Sequence, residues 1–335
     1  MYKFARFFLF LLNPELAHHI SMRGLKLACF FGLLGNKKVI ASKPKSIMGL
    51  RFPNKVGLAA GLDKNAEYII PLSKLGFGFI EVGTVTPRGQ PGNKKPRLFR
   101  LIEDEGIINR FGFNNVGIDQ FIKNIKKAKF KGILGINIGK NYDTPNDKAV
   151  EDYLICYRKA YPYAGYIAIN VSSPNTKNLR KLQGNEHLEI LLKALNKEQK
   201  ILHKRFKKLV PFVVKISPDN SKKQLDSIAK LLIKYNVDGV IATNTTVERE
   251  GILSSKYINE EGGLSGGPLN KKSTNVIKHL NKSLNGKIPI IGVGGIMTAD
   301  DGVEKINNGA SLIQIYSGLI FKGHRLVDEL CKAIR

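Results

Sequence analysis

Eight short apolar runs rich in β-branched residues recur along this chain, each followed by a helical segment: VGLAAG (56–61), FIEVGTV (79–85), ILGINIG (133–139), YIAINVS (166–172), PFVVKIS (211–217), GVIATNT (239–245), IPIIGVGG (288–295) and LIQIYSG (312–318). Runs that are apolar throughout, rather than alternating, belong to parallel strands buried on both faces. Eight strand–helix units point to an α/β fold of the (β/α)8 TIM-barrel type rather than an open sheet. At 335 residues the chain has room for that barrel and one extension. The interval 86–115 is too long and too rich in Gly, Pro and Asn for an ordinary connection, and reads as a folded lid.

Polar residues or glycines gather at the C-terminal end of every run: Asp63-Lys64, Thr84, Asn137, Asn170 to Asn175, Lys215, Thr243-Asn244-Thr245, Gly294-Gly295 and Tyr316-Ser317-Gly318. That end of a barrel is where active sites are built. Any one of these residues could simply terminate its strand. All eight groups together fit a site better. Glycines after the last two runs, with Gly266 in GGLSGGPL, would let backbone N–H groups approach a phosphate. No strand–GxGxxG–helix unit with a downstream acid is present, which argues against a nicotinamide dinucleotide. Nor is there His, Cys or carboxylate spacing that would hold a metal. The expected cofactor is therefore organic and phosphate-bearing.

Lys and Arg number 54 against 27 acidic residues, a formal charge of +27. Such a field attracts nucleic acid or anionic lipid. The lysines are scattered over nearly every helical segment without interleaved aromatics, so specific nucleic-acid binding is not expected. A basic nucleic-acid-binding protein, the rival of a different class, would also leave the eight polar strand ends unexplained. Cys29, Cys156 and Cys331 are few and far apart, which fits a reducing compartment.

Ahead of the first strand, Phe4, Phe7, Phe8, Leu11 and Leu12 follow the spacing of one helical face, flanked by Lys3 and Arg6. Asn13-Pro14 breaks that helix. Leu16, Ile20, Leu27, Phe31 and Leu34 then form a second apolar arc. Residues 1–40 thus form an amphipathic helical pair, and 41–335 the barrel. The pair either packs on its own domain or lies in a membrane surface; its large aromatics and cationic flanks favour the membrane. There is no signal-peptide cleavage site, and no apolar stretch of about 18 residues that would span a bilayer.

INVSSPNT (169–176) places Ser172 and Ser173 beside no histidine or cysteine, so a hydrolase-type nucleophile lacks a local base. Together LAAGLDKN, EVGTVTP, PGNKKPRLFR, NRFGFNN, GINIGKN, NVSSPNT, VKISPD, IATNTT, GGLSGGPL, IGVGGI and QIYSG resemble the dihydroorotate dehydrogenases, in their membrane-associated, quinone-using class. The motifs span essentially the whole chain in the same order.

The resemblance implies FMN in the barrel mouth, oxidation of dihydroorotate to orotate in pyrimidine synthesis, and a membrane quinone as electron acceptor. It places the catalytic base at Ser173, with a proton relay beside Thr176. Lys64, Asn109, Arg110, Phe111, Gly112, Phe113, Asn170, Asn175, Asn244 and Thr245 would bind substrate, their amides matching the ring edges of orotate. The flavin would be held by Ala60, Gly61, Leu62, Asp63, Lys64, Thr84, Asn137, Asn170, Lys215, Thr243, Gly266, Gly295, Tyr316 and Ser317. His18, Arg100 and Tyr316 would lie at the inner end of a quinone tunnel. A monomer attached peripherally to the cytoplasmic side of the inner membrane is implied by the same resemblance, without a metal. A soluble, fumarate- or NAD-linked relative is the nearest alternative; serine in place of cysteine and the N-terminal helices speak against it. Gly267 departs from relatives that carry a longer residue.

Overall fold

The computed structural model describes residues 2–34, 45–253 and 255–334, so the 40/41 boundary expected between helical pair and barrel lies outside the described residues. Eight parallel strands close into a barrel in chain order: β1 (Val56–Leu58), β2 (Phe79–Val85), β3 (Ile133–Ile138), β4 (Tyr166–Asn170), β5 (Phe212–Ile216), β6 (Gly239–Ala242), β7 (Ile290–Val293) and β8 (Ala310–Ile315). Closure is made by β8 on β1, where Gln314 pairs with Gly57 and Ile315 with Leu58. Seven of the eight apolar runs contain their strand whole, and β8 begins at Ala310, two residues before its run. Most strands stop one to three residues before their run does: β6 ends at Ala242 and leaves Thr243, Asn244 and Thr245 in the loop, and β8 ends at Ile315.

Two apolar layers hold the barrel. Inside it, Phe79, Tyr166, Val213, Ile241, Ile291 and Leu312 pack together, and Phe52, from a hairpin preceding β1, joins them at the N-terminal end with its ring 5.1 Å from that of Phe79. Outside it, the strands meet the helices. The helix Lys222–Lys234 shows why: Leu225, Ile228, Ala229 and Leu232 recur at helical spacing and are buried, while its lysines stay at the surface. Ser221 and Gln224 close a capping box at its start. The interval 86–115 forms short antiparallel strands, Leu98–Leu101 with Gly106–Asn109, extended by Gly263–Gly266 from the loop after β6. These cover the barrel mouth as a lid.

The N-terminal pair consists of α1 (Tyr2–Leu11) and α2 (Pro14–Phe30), and Asn13 caps α2 by accepting the N–H groups of Glu15 and Leu16. Its expected apolar stripe faces outward: Phe4 is 71 % and Phe31 68 % exposed. The opposite side docks on the barrel through polar contacts. Tyr2 donates to the carbonyls of Leu319 and Ile320, Arg6 to that of Phe321, and Arg100 to those of Leu9 and Leu12. Arg6, expected to flank the stripe, therefore points inward. Among the described residues no helix is long and apolar enough to cross a membrane.

Candidate active site

A cavity of about 990 Å³, including its open mouth, lies at the C-terminal end of the strands beneath the lid. Nearly every strand end contributes. Ala60, Gly61 and Lys64 come from the loop after β1, Thr84 from β2, Asn170 from the end of β4, Ser173 and Asn175 from the loop after it, and Lys215 from β5. Thr243, Asn244 and Thr245 come after β6, Gly295 after β7, and Tyr316 and Ser317 after β8; the lid adds Asn109, Phe111, Gly112, Phe113 and Gly266.

The amides are held in fixed orientations. Asn170 donates to Thr84 Oγ1 at 3.0 Å, and its oxygen accepts the N–H of Ser172 at 3.2 Å. Asn244 donates to Asn170 and to Ser172 Oγ, and Asn175 donates to Asn109 Oδ1 at 3.1 Å. Ser173, 6 % exposed, accepts the N–H of Asn175 at 3.2 Å. Below this layer the Glu81 carboxylate, fully buried, accepts from Asn137 at 2.8 Å, Tyr166 at 2.7 Å and Gln314 at 2.7 Å.

Two lysines enter the chamber. Burial, with Arg97 nearby, pushes the Lys64 ammonium down to about 8, and its Nζ sits 3.9 Å from the Phe111 ring centre. Burial also lowers Lys215, opposed by the charge of Glu81. Both ammonium groups have lost water and would gain from an anionic or electron-rich ligand.

At the β7 and β8 loops the backbone is packed too tightly for a side chain. A Cβ on Gly295 would come within 2.3 Å of the Asn270 backbone, and one on Gly318 within 2.3 Å of the Ile296 carbonyl. These loops present main chain to the cavity. Gln314 Oε1 and Thr245 Oγ1, both on residues of the cavity wall, are buried without a partner among the described residues. Close-set backbone, free amide and hydroxyl groups and a desolvated lysine suit a phosphate-bearing ligand with a polar ring system.

A second cavity, about 1420 Å³, lies between the N-terminal pair and the barrel. Leu9, Phe10, Met22, Leu25, Leu98 and Leu319 make most of its wall apolar, and His18, Arg100 and Tyr316 are among its polar points, together with Tyr2, Arg6, Ser21, Lys64 and His324. Burial and the neighbouring Lys64 push the His18 imidazole down to about 3, so it is neutral. Lys64, Phe111 and Tyr316 line both cavities.

Four expected ligand residues and the expected relay residue, Thr176, are placed elsewhere. Arg110 turns away to pair with Glu260 at 2.6 Å, over the Phe99 ring. Asp63 accepts the N–H groups of Glu67 and Tyr68, and so shapes the turn leading to the next helix; burial raises its carboxyl to about 6. Leu62 lines the apolar cavity. Asn137 lies behind the wall, accepting from Thr84 at 2.6 Å. Thr176 is buried outside the chamber lining, its Oγ1 without a partner among the described residues. Gly267 fits its loop closely, since a Cβ there would meet the Asp104 carbonyl at 2.8 Å. Conversely, Glu81, Gln314 and Ser265 belong to the site or its floor without standing among the expected residues. A Glu in FIEVGTV and a Gln in LIQIYSG, each at a buried position of a largely apolar strand, are the signals that could reveal the first two.

The fold and these cavities define a (β/α)8-barrel enzyme with an enclosed polar reaction chamber adjoining an apolar one. Residues 43–335 match the family model described as dihydroorotate dehydrogenase. The chain belongs to that family. It is 53 % identical, over 100 % of its length and 99 % of the relative's, to dihydroorotate dehydrogenase (quinone) of Methylobacillus flagellatus. To the protein of the same name in Cronobacter sakazakii it is 56 % identical over 98 % of both chains. The crystal structure of an Eimeria tenella dihydroorotate dehydrogenase bound to ferulenol superposes with a TM-score of 0.88 at 38 % identity, covering 96 % of this chain and 90 % of that one.

Proposed function

We propose that this chain is a quinone-linked dihydroorotate dehydrogenase, oxidising (S)-dihydroorotate to orotate over FMN and passing the electrons to a quinone, as a step in pyrimidine synthesis. The observation that carries the reading is the shared wall: Lys64, Phe111 and Tyr316 separate an amide-lined chamber from an apolar cavity under an amphipathic helical pair. One cavity suits a polar heterocycle, the other a greasy acceptor.

When bound, FMN supplies the acceptor for the hydride that leaves substrate carbon 6. The β7 and β8 loops would hold its phosphate, and Lys215, Thr84, Thr243 and Gln314 its ring system. Lys64 binds the substrate carboxylate. Asn109, Asn170, Asn175 and Asn244 hold the pyrimidine ring through its amide edges. Ser173 Oγ takes the proton from carbon 5. The N–H of Asn175, already directed at that oxygen, stabilises the negative charge that makes it basic. Phe113, 8 % exposed, keeps bulk water from the reacting carbons. The Ser173 hydroxyl must give up its own proton as it takes the one from carbon 5, and Thr176 Oγ1, buried and without a partner among the described residues, suits a water that would carry that proton away.

The exposed aromatic stripe of α1 and α2 supports peripheral attachment to the cytoplasmic side of the inner membrane, with the apolar cavity opening toward the lipid. Anaerobic stopped flow tests the whole reading. Dihydroorotate should bleach the bound flavin, Ser173→Ala should slow that bleaching by roughly 100-fold or more, and quinone rather than fumarate should restore the colour. Bleaching of the Ser173→Ala enzyme at the normal rate would remove serine as the base.

A further inference from the structure

Arg180 lies outside both cavities, on the short helical turn Leu179–Gln183 that comes after β4. Its guanidinium nevertheless touches three loops of the mouth. Nε donates to the Ser172 carbonyl at 3.1 Å, Nη2 to the Thr245 carbonyl at 2.9 Å, and Nη1 to Asp219 Oδ2 at 2.7 Å. Asp219, in the loop after β5, is itself fixed: it accepts the N–H of Val247 at 3.0 Å, the Thr246 hydroxyl at 2.5 Å and the Lys272 ammonium at 2.7 Å. Both charged groups are mostly buried, with side-chain exposures of 24 % and 13 %.

The two carbonyls matter because of their neighbours in the chain. Ser172 C=O belongs to the peptide that continues into Ser173, and Thr245 stands immediately after Asn244. We propose that Arg180 is a positioning residue for the reaction: one rigid planar group, braced by Asp219, sets the distance between the Ser173 loop and the Asn244 loop. A guanidinium can make these bonds at once because its N–H groups radiate in a fixed plane. Lysine, with all its donors on one atom, can satisfy only part of the set. The proposal rests on the reading of Ser173 as the base.

The test uses the flavin-loaded enzyme and compares Arg180→Lys, Ser173→Ala and the double variant in anaerobic flavin reduction by dihydroorotate. Arg180→Lys should slow reduction by at least roughly tenfold, as expected for losing a charged hydrogen bond, while quinone reoxidation stays at the wild-type rate. In the Ser173→Ala background the same change should add nothing, since no base remains to be placed. Arg180→Ala should be slower still, by roughly 100-fold, and partly restored by millimolar guanidinium. Should Arg180→Ala fail to retain flavin, the lysine variant decides. Reduction by Arg180→Lys at the wild-type rate, equal slowing with and without Ser173, or a parallel fall in reoxidation would each overturn the proposal. Failure of dihydroorotate to reduce the wild-type flavin would instead strike the functional reading itself.

Discussion

Glu15 and Arg97 form a two-pronged ion pair, at 2.8 and 3.3 Å, that joins the first turn of α2 to the lid over the barrel mouth. Arg97 is 7 % exposed and Glu15 9 %. The same guanidinium donates to the carbonyls of Pro91 and Asn93, and Asn93 donates to the Asn175 carbonyl beside the proposed base. The N-terminal pair is therefore fastened to the substrate region as well as to the apolar cavity.

Breaking that pair should cost more than an exposed salt bridge would. Glu15→Ala leaves a buried guanidinium without its counter-charge, and a loss of about 3–5 kcal/mol is expected where the pair is enclosed. Thermal unfolding of the flavin-loaded protein would measure it. Burial pushes the Glu15 carboxyl up, but Arg97 and Lys95 more than reverse this and hold it below its usual value. Its stabilisation is therefore present above the unfolded carboxylate pKa of about 4.3. It should be lost as pH falls through the lower, folded value, and Glu15→Gln should flatten that part of the stability profile.

Substrate affinity should fall in mild alkali. Lys64, depressed to about 8, is protonated below that pH and able to pair with a carboxylate; above it the charge is lost. The orotate dissociation constant, tracked by the flavin spectrum, should rise about tenfold per pH unit above the break, as for loss of one proton. Lys64→Met should bind weakly at every pH and show no such break. An unchanged break in Lys64→Met would assign it to another group.

Arg100 should matter for one half-reaction only. Its guanidinium borders the apolar cavity, lies 4.5 Å from the Phe10 ring and donates to two carbonyls at the end of α1. Arg100→Ala should weaken apparent quinone affinity by roughly tenfold, the scale of one charged hydrogen bond. Flavin reduction by dihydroorotate should be untouched. Equal damage to both half-reactions would point to loss of packing instead.

Membrane attachment should reside in residues that do nothing for the chemistry. Phe7 and Phe30 are 62 % and 81 % exposed and line neither cavity. Replacing both by serine should reduce co-sedimentation with anionic vesicles by roughly tenfold or more, since burying an aromatic side chain is worth about 1.5–3 kcal/mol. Flavin reduction should proceed normally. Vesicle binding that survives the double change would place the contact on the basic surface.

The sequence by itself determined the barrel and the order of its parts. Continuous apolar runs interrupted by amphipathic helices leave few other ways to bury eight strands, and period and polarity are local properties that a linear pattern records. It also pointed to strand ends that line the chamber, because Asn170, Lys215 and Thr243 stand where buried strands turn polar. What only the tertiary structure decided was direction and partnership. Arg110 and Asp63 stand within motifs, yet one turns to Glu260 and the other to the backbone of Glu67 and Tyr68. Glu81, Arg97 and Arg180 acquire their roles from partners as much as 233, 82 and 65 residues away along the chain. Such contacts are set by barrel closure and lid packing, which bring distant loops within hydrogen-bond reach, and no local pattern of residues encodes the distance between them.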